Sequence, residues 1–354
     1  MTPRHSLLLA FLLTLVLAVA GCGSDDDESA TATTTGEAPA ATTEESEPLK
    51  IGLVTDVGGL DDRSFNFLAN QGLERAQDEL GVDGRVVISR ANADYVPNLS
   101  TLARQDYDLV VAVGFLMAEA VDQVAKQFPD TNFAIIDFPA EALPSTPSNV
   151  RGLLFKEQEA GYLAGYMAGL YLAEQGGDAV VSSVGGQKIP PVDRYIAGYQ
   201  AGAKAANPNV TALNGYSQDF VDQAKCKEQA LNQIANGAGV VFQVAGQCGL
   251  GALSAAAERN VLGIGVDADQ GYLGDHILTS ALKKVDVAIF DTIKSVQDGS
   301  FAGGENTVFD VASGGVGLGE VASGISGDIV SKVNEVQEQI ASGELTDIPE
   351  TVGG

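Results

Sequence analysis

Histidine is nearly absent from this 354-residue sequence, which contains only His5 and His276. His5 lies in an N-terminal segment that we expect to be removed, so a Ser-His-Asp or Cys-His arrangement would need His276 as its base. His276 stands between Asp275 and an apolar run, where a surface or strand-edge position is the simpler interpretation. The sequence therefore disfavours enzymes of these classes.

Basic residues are scarce as well. Lys and Arg number 20 against 47 Asp and Glu, which gives a formal net charge of −27. Such a surface repels a phosphate backbone, and no basic cluster offsets the repulsion. The sequence therefore predicts no nucleic-acid partner.

The N-terminus has the pattern of an export signal that ends in a lipidation site. Arg4 precedes an apolar stretch over 7–20, which is short beside the roughly 20 residues of a membrane span. Val-Ala-Gly-Cys at 19–22 resembles a bacterial lipobox. We therefore predict a signal peptide over 1–21, a lipid on Cys22 and a location on the extracytoplasmic face of the cell membrane. A plain signal peptide with an incidental cysteine is the alternative.

Residues 22–48 contain almost no large apolar side chains and are rich in Ser, Thr, Asp and Glu. They cannot bury enough surface to fold, so we predict an acidic, solvated tether. The folded part is expected to begin near Leu49.

Beyond Cys22 the chain has two cysteines, Cys226 and Cys248. In an exported protein such a pair is more typical of a disulfide than of a zinc site, which would need further ligands. Two free buried thiols are the alternative. Asp61 and Asp62 lack the alternating register of a calcium loop, so we predict no metal and no cofactor.

From residue 50 onward, short β-branched runs alternate with amphipathic stretches, which is the pattern of βαβ units around parallel sheets. We predict strands at 50–54, 85–89, 108–113, 132–137, 178–184, 239–245 and 261–266. The series restarts after a long helix, so we expect an α/β fold of two lobes with a ligand cleft between them. We assign 49–175 plus about 283–305 to lobe 1, and 176–282 plus about 306–345 to lobe 2.

Two glycine-containing segments resemble phosphate or dinucleotide loops without meeting their requirements. In LVTDVGGLDDRSFNFLAN, residues 53–70, we expect Asp61 and Asp62 to cap the following helix instead of leaving it free for an anion. GGVGLG at 314–319 lacks a preceding buried strand and a suitably placed acidic residue. We therefore expect it to be a flexible surface loop.

Carboxylates follow several predicted strands, at the edge where open α/β sheets bind ligands. Asp56 follows the first strand, Asp137 closes the fourth, and Asp267 and Asp269 follow the last. Any one of them could be a helix cap or a turn residue, but several at equivalent strand ends indicate a site. Because carboxylates accept from hydroxyl and amino groups and repel anions, we expect a neutral ligand such as a sugar or a nucleoside.

Aromatic residues are few and tryptophan is absent, so rings in polar loops are informative. Phe65 stands beside Asn66 at a helix entrance, and Phe220 lies in the loop of YSQDFVDQAKC. Two such rings on opposite lobes would sandwich a planar base, a contact worth about 1–3 kcal/mol per stacked base. Packing of either ring on the adjacent helix as a hydrophobic staple is the alternative.

Five segments occur in a familiar order: LVTDVGGLDDRSFN, FKEQEAGYLAGYMAG, VGGQKIPPVDRYIAGYQAGAKAANP, QAKCKEQALNQIANGAGVVFQVAG and IGVDADQGYLGDHILTSALKKVD. Over residues 50 to about 310 the chain thereby resembles the basic membrane protein family. The resemblance implies a type I periplasmic-binding-protein fold, in which two Rossmann-like lobes close on a ligand. It also implies a lipid-anchored substrate-binding protein of an ABC importer, similar to purine nucleoside receptors. Its partners would be ABC permease subunits, and we expect a monomer.

The resemblance further implies the ligand contacts. Asp56 and Asn66 match base- or ligand-contacting positions of the first lobe, and Asp137 matches an acidic position at the base edge. Phe65 and Phe220 match the two stacking rings.

At the ribose end, the matching positions are Gly246, Asp267 and Lys283. There a carboxylate accepts from both vicinal hydroxyls and a lysine donates to them. In the alternative, Lys283 is a surface lysine and its neighbour Lys284 occupies the matching position.

The chain departs from the family pattern at its cysteines. Similar members usually carry Gly where Cys226 stands and a small residue where Cys248 stands. Two unusual cysteines in neighbouring ligand-side loops of one lobe support a bridge, which would stiffen the pocket and leaves the ligand's identity open. We predict a receptor for a nucleoside, with a purine nucleoside favoured. The alternative is a receptor for another neutral sugar or polyol, and a nucleoside-processing enzyme is a weaker one because a catalytic base is lacking.

Overall fold

The computed structural model describes residues 47–176 and 178–353. The predicted signal peptide, Cys22 and nearly all of the tether lie outside the described residues. The elements follow in chain order: β1 Lys50–Val54, α1 Phe65–Leu80, β2 Asp83–Val87, α2 Tyr95–Ala103, β3 Leu109–Ala112, α3 Ala118–Gln127, β4 Asn132–Ile136, β5 Val150–Phe155, α4 Glu157–Gln175, β6 Val180–Gly185, α5 Pro190–Ala206, β7 Thr211–Tyr216, α6 Gln223–Ala235, β8 Val240–Val244, α7 Gly246–Arg259, β9 Leu262–Asp267, β10 Ile277–Lys283, α8 Val285–Gln297, β11 Asn306–Phe309, β12 Val316–Leu318 and α9 Gly327–Ser342.

Lobe 1 is built on six parallel strands in the order β11-β5-β4-β3-β1-β2. The central strands are buried on both faces, which explains why β3 reads as a continuous apolar run, LVVA. Helix α8 packs against α1, so the segment after β10 returns to lobe 1 as expected. The α/β architecture around a parallel sheet that the sequence predicts is confirmed for this lobe.

Lobe 2 repeats the arrangement with the order β12-β10-β9-β8-β6-β7. Five strands are parallel, and the edge strand β12 runs antiparallel to β10. Residues 314–319 are therefore not a surface loop, because Val316–Leu318 extends the sheet. At this point the chain returns from lobe 1 to lobe 2. β12 pairs with the edge of β10 that β9 does not occupy.

Of the twelve strands in the described part of the chain, the sequence analysis missed five, namely β5, β7, β10, β11 and β12, and the first two show the reason. β5 carries Gly152 in its centre, where the Asn306 side chain of β11 approaches so closely that a Cβ would lie 2.3 Å from its Oδ1. β7, with the sequence TALNGY, is an edge strand whose side chains are exposed or half-buried. Neither strand has the apolar run or the alternation that would reveal it.

The predicted lobe boundaries need correction at two places. Helix α4 packs against α5, α9 and β10, so it belongs to lobe 2, and lobe 1 first ends near Glu157 instead of at 175. Gly161 and Gly165 bring the α4 backbone against the Tyr195 and Tyr199 carbonyls of α5, which explains the close packing. The segment at 306–309 is β11 of lobe 1, so the last crossing to lobe 2 follows Phe309.

Within residues 47–176 and 178–353, no helix combines the length and the apolar character that a membrane span requires.

Candidate ligand-binding site

The loop after β1 is held by side chains from two helices. The backbone N–H of Asp56 donates to Oδ1 of Asn66 at 2.9 Å, which ties the loop to α1. Oδ1 of Asp56 accepts from the Val57 N–H at 2.7 Å and from the Tyr95 hydroxyl of α2. Burial raises the pKa of Asp56 to about 6, against the opposing hydrogen bonds from Tyr95 and Val57. Asp56 is thus a fixed acceptor at the carboxyl end of the strand.

The start of α1 is capped by one aspartate. The Asp62 carboxylate accepts from the N–H groups of Ser64, Asn66 and Phe67 at 3.1, 2.7 and 3.0 Å. Asp61 is exposed, so the prediction that both aspartates cap the helix is correct only for Asp62. This capping orients Phe65 and Asn66, which begin the helix.

Asp267 at the end of β9 contacts both lobes. Its Oδ2 accepts from the Ser64 hydroxyl of lobe 1 at 2.6 Å, and its Oδ1 lies 3.4 Å from the Tyr195 hydroxyl of α5. Burial raises the pKa of Asp267 to about 6, although the Lys283 charge and the Ser64 hydroxyl oppose the shift. The neighbouring Asp269 instead accepts from the N–H groups of Gly271 and Glu320, so it is a turn residue.

Lys283 is buried at the floor of the site, which excludes the surface alternative for it. Its ammonium lies 2.6 Å from Oδ1 of Asp137 in lobe 1 and 2.9 Å from Oε1 of Glu157 at the start of α4. Burial lowers the pKa of Lys283, but the nearby carboxylates outweigh burial and hold that pKa above its usual value. Burial raises the pKa of Asp137, although Lys283 opposes this shift. The cluster therefore holds one ammonium among three carboxyl groups, the third being Asp267.

The two predicted rings rest on glycines. A Cβ at Gly114 would lie 3.4 Å from the Phe65 ring, and a Cβ at Gly186 would lie only 2.2 Å from the Phe220 ring. The Lys283 ammonium is 5.1 Å from the centroid of Phe65. Each lobe thus presents one aromatic ring packed next to a glycine.

All eight predicted ligand residues line one cavity between the lobes: Asp56, Phe65, Asn66, Asp137, Phe220, Gly246, Asp267 and Lys283. The empty space, counted to its open mouth, is about 640 Å³. Contact of these residues with a ligand stays a prediction, but the structure brings them together.

Sequence reasoning missed several polar and aromatic groups of this site. Tyr95 and Tyr195 support the carboxylates of Asp56 and Asp267, and Phe115 adds a ring to the cavity wall. Glu157 holds Lys283 and also accepts from the Arg194 guanidinium at 3.3 Å. Glu157 belongs to the segment KEQE at 156–159. Nothing in this segment shows that Glu157 would pair with Lys283, which follows more than 120 residues later.

Cys226 and Cys248 form a disulfide, as predicted. The bridge joins α6 to the first turn of α7, whose first residue, Gly246, lines the cavity. In the described part of the chain, no group of three or more His, Cys, Asp or Glu residues is arranged to hold a metal ion.

Comparison with known proteins agrees with this architecture. Residues 50–350 match the family model "Bmp: ABC transporter substrate-binding protein PnrA-like". An uncharacterized lipoprotein of Pyrococcus furiosus is 37% identical over 292 residues, which cover 78% of this chain and 71% of the relative. The ABC transporter nucleoside-binding protein BmpA of Lactococcus lactis subsp. cremoris is 30% identical over 332 residues, covering 88% and 92%.

Among solved structures, the crystal structure of ABC transporter system solute-binding proteins from Aeropyrum pernix K1 superposes with a TM-score of 0.78 at 31% identity. The match covers 86% of this chain and 95% of that one. The two α/β lobes are those of type I periplasmic-binding proteins. On the family match and the shared architecture, this chain belongs to the Bmp family of ABC transporter substrate-binding proteins.

Proposed function

We propose that this protein is the extracytoplasmic receptor of an ABC importer and that its cavity captures a nucleoside, with a purine nucleoside favoured. The observation that carries the proposal is the pair of rings, Phe65 and Phe220, which enter one cavity from different lobes. A planar base fits between two rings, and stacking of this kind tolerates different bases.

The polar groups of the cavity suit the rest of a nucleoside. Asp56 and Asn66 offer hydrogen-bonding groups beside Phe65, where the edge of a stacked base would lie. Asp267 and Lys283 supply acceptors and a donor for ribose hydroxyls. The phosphate of a nucleotide would meet three carboxyl groups, so the unphosphorylated nucleoside is the better ligand.

Binding by this mechanism involves no covalent step, and we propose no enzymatic activity. Ligand shifts the lobes toward the closed arrangement by its greater affinity for that state. The closed receptor then delivers the nucleoside to ABC permease subunits.

The membrane anchor is part of the same proposal. A lipid on Cys22 and the acidic tether would hold a monomeric receptor at the extracytoplasmic face. The similarity to the uncharacterized lipoprotein of Pyrococcus furiosus supports this arrangement. Cys22 itself lies outside the described residues.

Isothermal titration of the full chain in detergent with adenosine, guanosine, inosine and uridine tests the ligand class. We expect saturable binding of at least one purine nucleoside. Absence of heat with all four at millimolar concentration would overturn the nucleoside proposal, and product formed from inosine on prolonged incubation would overturn the absence of enzymatic activity.

Two substitutions separate a nucleoside receptor from a receptor for a free sugar or polyol. If a base stacks on Phe65, Phe65→Ala weakens binding by about tenfold or more, since stacking is worth about 1–3 kcal/mol. An unchanged affinity in Phe65→Ala, with binding abolished in Asp267→Asn, would favour the sugar.

A further inference from the structure

The loop that carries Phe220, residues 217–222, is exposed along much of its outer side. Val221 and Asp222 are exposed, and Gln218 has a left-handed backbone with φ of 57°. At its start, the N–H groups of Ser217 and Gln218 donate to the Gly185 and Gly186 carbonyls. The loop is therefore fixed at its β7 end by backbone bonds to β6 and the residue that follows it.

At its other end, the loop depends on the start of α7. The Cys248 N–H donates to the Phe220 carbonyl at 3.0 Å, and Sγ of Cys248 lies 2.9 Å from the Asp222 carbonyl oxygen. Asp222 in turn caps α6 by accepting from the Ala224 N–H at 2.9 Å. The residue that contacts the loop on both sides of Val221 is thus one half of the disulfide.

The other half, Cys226, lies one turn into α6, directly after the loop. Both cysteines are fully buried, so the bridge lies inside this interface. Gly251 of α7 lets the helices approach so closely that a Cβ there would lie 1.9 Å from the Gln223 carbonyl. The disulfide therefore fixes the α6 end of the loop to the helix that begins at the cavity.

We propose that the Cys226–Cys248 disulfide is a positioning element for ligand binding, which holds residues 217–222 so that the Phe220 ring stays against Gly186 and faces the cavity. The expected effect on ligand affinity rests on the proposed function. The expected effect on residues 217–222 does not depend on it. A ring that is already in place spares the ligand the entropy of ordering it, so the bridge increases affinity chiefly by slowing dissociation.

The test removes the bridge in the full chain with Cys226→Ala combined with Cys248→Ala. We expect inosine, used as the probe, to bind about tenfold more weakly, with the change mainly in the dissociation rate. In a Phe220→Ala background the same double substitution should change affinity little, because the ring through which the bridge acts is gone. An unchanged affinity, or an equal loss with and without Phe220, would overturn the proposal.

Leu231→Ala is the matched control. Leu231 lies on α6 and packs on the same apolar cluster as the disulfide, away from the loop. It should lower stability without changing inosine affinity. If the alanine pair does not fold, Cys226→Ser combined with Cys248→Ser takes its place, since serine is close to cysteine in size.

Hydrogen exchange in residues 217–222 tests the role of the disulfide independently of the proposed ligand. Residues 217–222 should exchange faster when the bridge is removed, and at the original rate in Leu231→Ala, whether or not inosine binds. If no nucleoside binds to the unaltered protein, the proposed ligand is wrong while the exchange result still decides the role of the bridge. Unchanged exchange in the loop without the bridge would refute it.

Discussion

The ammonium of Lys283 lies 2.6 Å from Oδ1 of Asp137, and this buried ion pair joins β10 of lobe 2 to the carboxyl end of β4 in lobe 1. The same ammonium reaches Glu157 at 2.9 Å. Three parts of the fold, two sheets and the first turn of α4, thus converge on one positive charge at the floor of the cavity.

Replacing Lys283 by methionine should cost both stability and ligand affinity. The substitution leaves Asp137 and Glu157 buried without their shared cation, a type of change that costs about 3–5 kcal/mol. Denaturant unfolding at neutral pH measures the loss. The control is Lys284→Met at the half-buried neighbour, which forms none of these bonds to the cluster. Equal stability of the two variants would contradict the assigned pairing.

Glu157→Gln should show how much the charge of Glu157 contributes to stability, because glutamine has nearly the same shape without the charge. Glutamine keeps an oxygen near Lys283, but the two cations Lys283 and Arg194 lose one buried counter-charge. We expect destabilisation by about 1–3 kcal/mol, since hydrogen bonds to charged groups are worth about that much. Glu350→Gln, at the exposed end of the same network, should change stability by less than about 1 kcal/mol. A larger effect at Glu350 than at Glu157 would show that the buried oxygen is not the important partner.

The carboxylates of the site could be predicted because strand order decides their position. Asp56, Asp137 and Asp267 all follow parallel strands, and the carboxyl ends of such strands meet at one edge. The burial of Lys283 could not be predicted in the same way. It depends on Glu157, which belongs to a helix that the sequence assigned to the other lobe, so the pairing exists only in the tertiary structure.

The misplaced helix has a physical cause. α4 carries small residues and glycines on several sides, so its pattern does not indicate which sheet it covers. Close packing decides in favour of lobe 2, as in the fit of Gly161 and Gly165 against the α5 backbone. Local pattern thus predicts the elements and the edge that binds ligand, while close packing decides how the chain is divided between lobes.

Asp56→Asn should stabilise the ligand-free protein near neutral pH and weaken ligand binding. The pKa of Asp56 is raised from 3.8 to about 6 by burial, so the folded state binds a proton that the unfolded chain has already released. Its contribution to stability is therefore present at low pH and is lost as the pH rises from about 4 to about 6. At about pH 7 the variant should be more stable by up to about 3 kcal/mol, at 1.36 kcal/mol per pKa unit.

Urea unfolding without ligand, at about pH 4 and about pH 7, measures this difference. The gain should largely vanish at the lower pH, where Asp56 of the original protein is protonated in the folded state and, for much of the time, in the unfolded state as well. Asp61→Asn is the control, because Asp61 is exposed in the same loop. A variant that is no more stable than the original protein at neutral pH would show that the buried carboxylate carries no such cost.

Gly186→Ala should weaken ligand binding while leaving most of the fold intact. A Cβ at this position would lie 2.2 and 2.4 Å from two ring atoms of Phe220, and a flat ring has no flexible end that could give way. The ring must therefore leave the position in which we propose that it stacks on a base. We expect affinity to fall by about tenfold or more, in line with the loss of one stacked base. Gly324→Ala is the matched control, because a Cβ there meets open space. Titration of both variants with the same nucleoside measures the difference in affinity. Equal affinity of the two alanine variants would mean that the Phe220 ring can contact the ligand without a glycine at position 186.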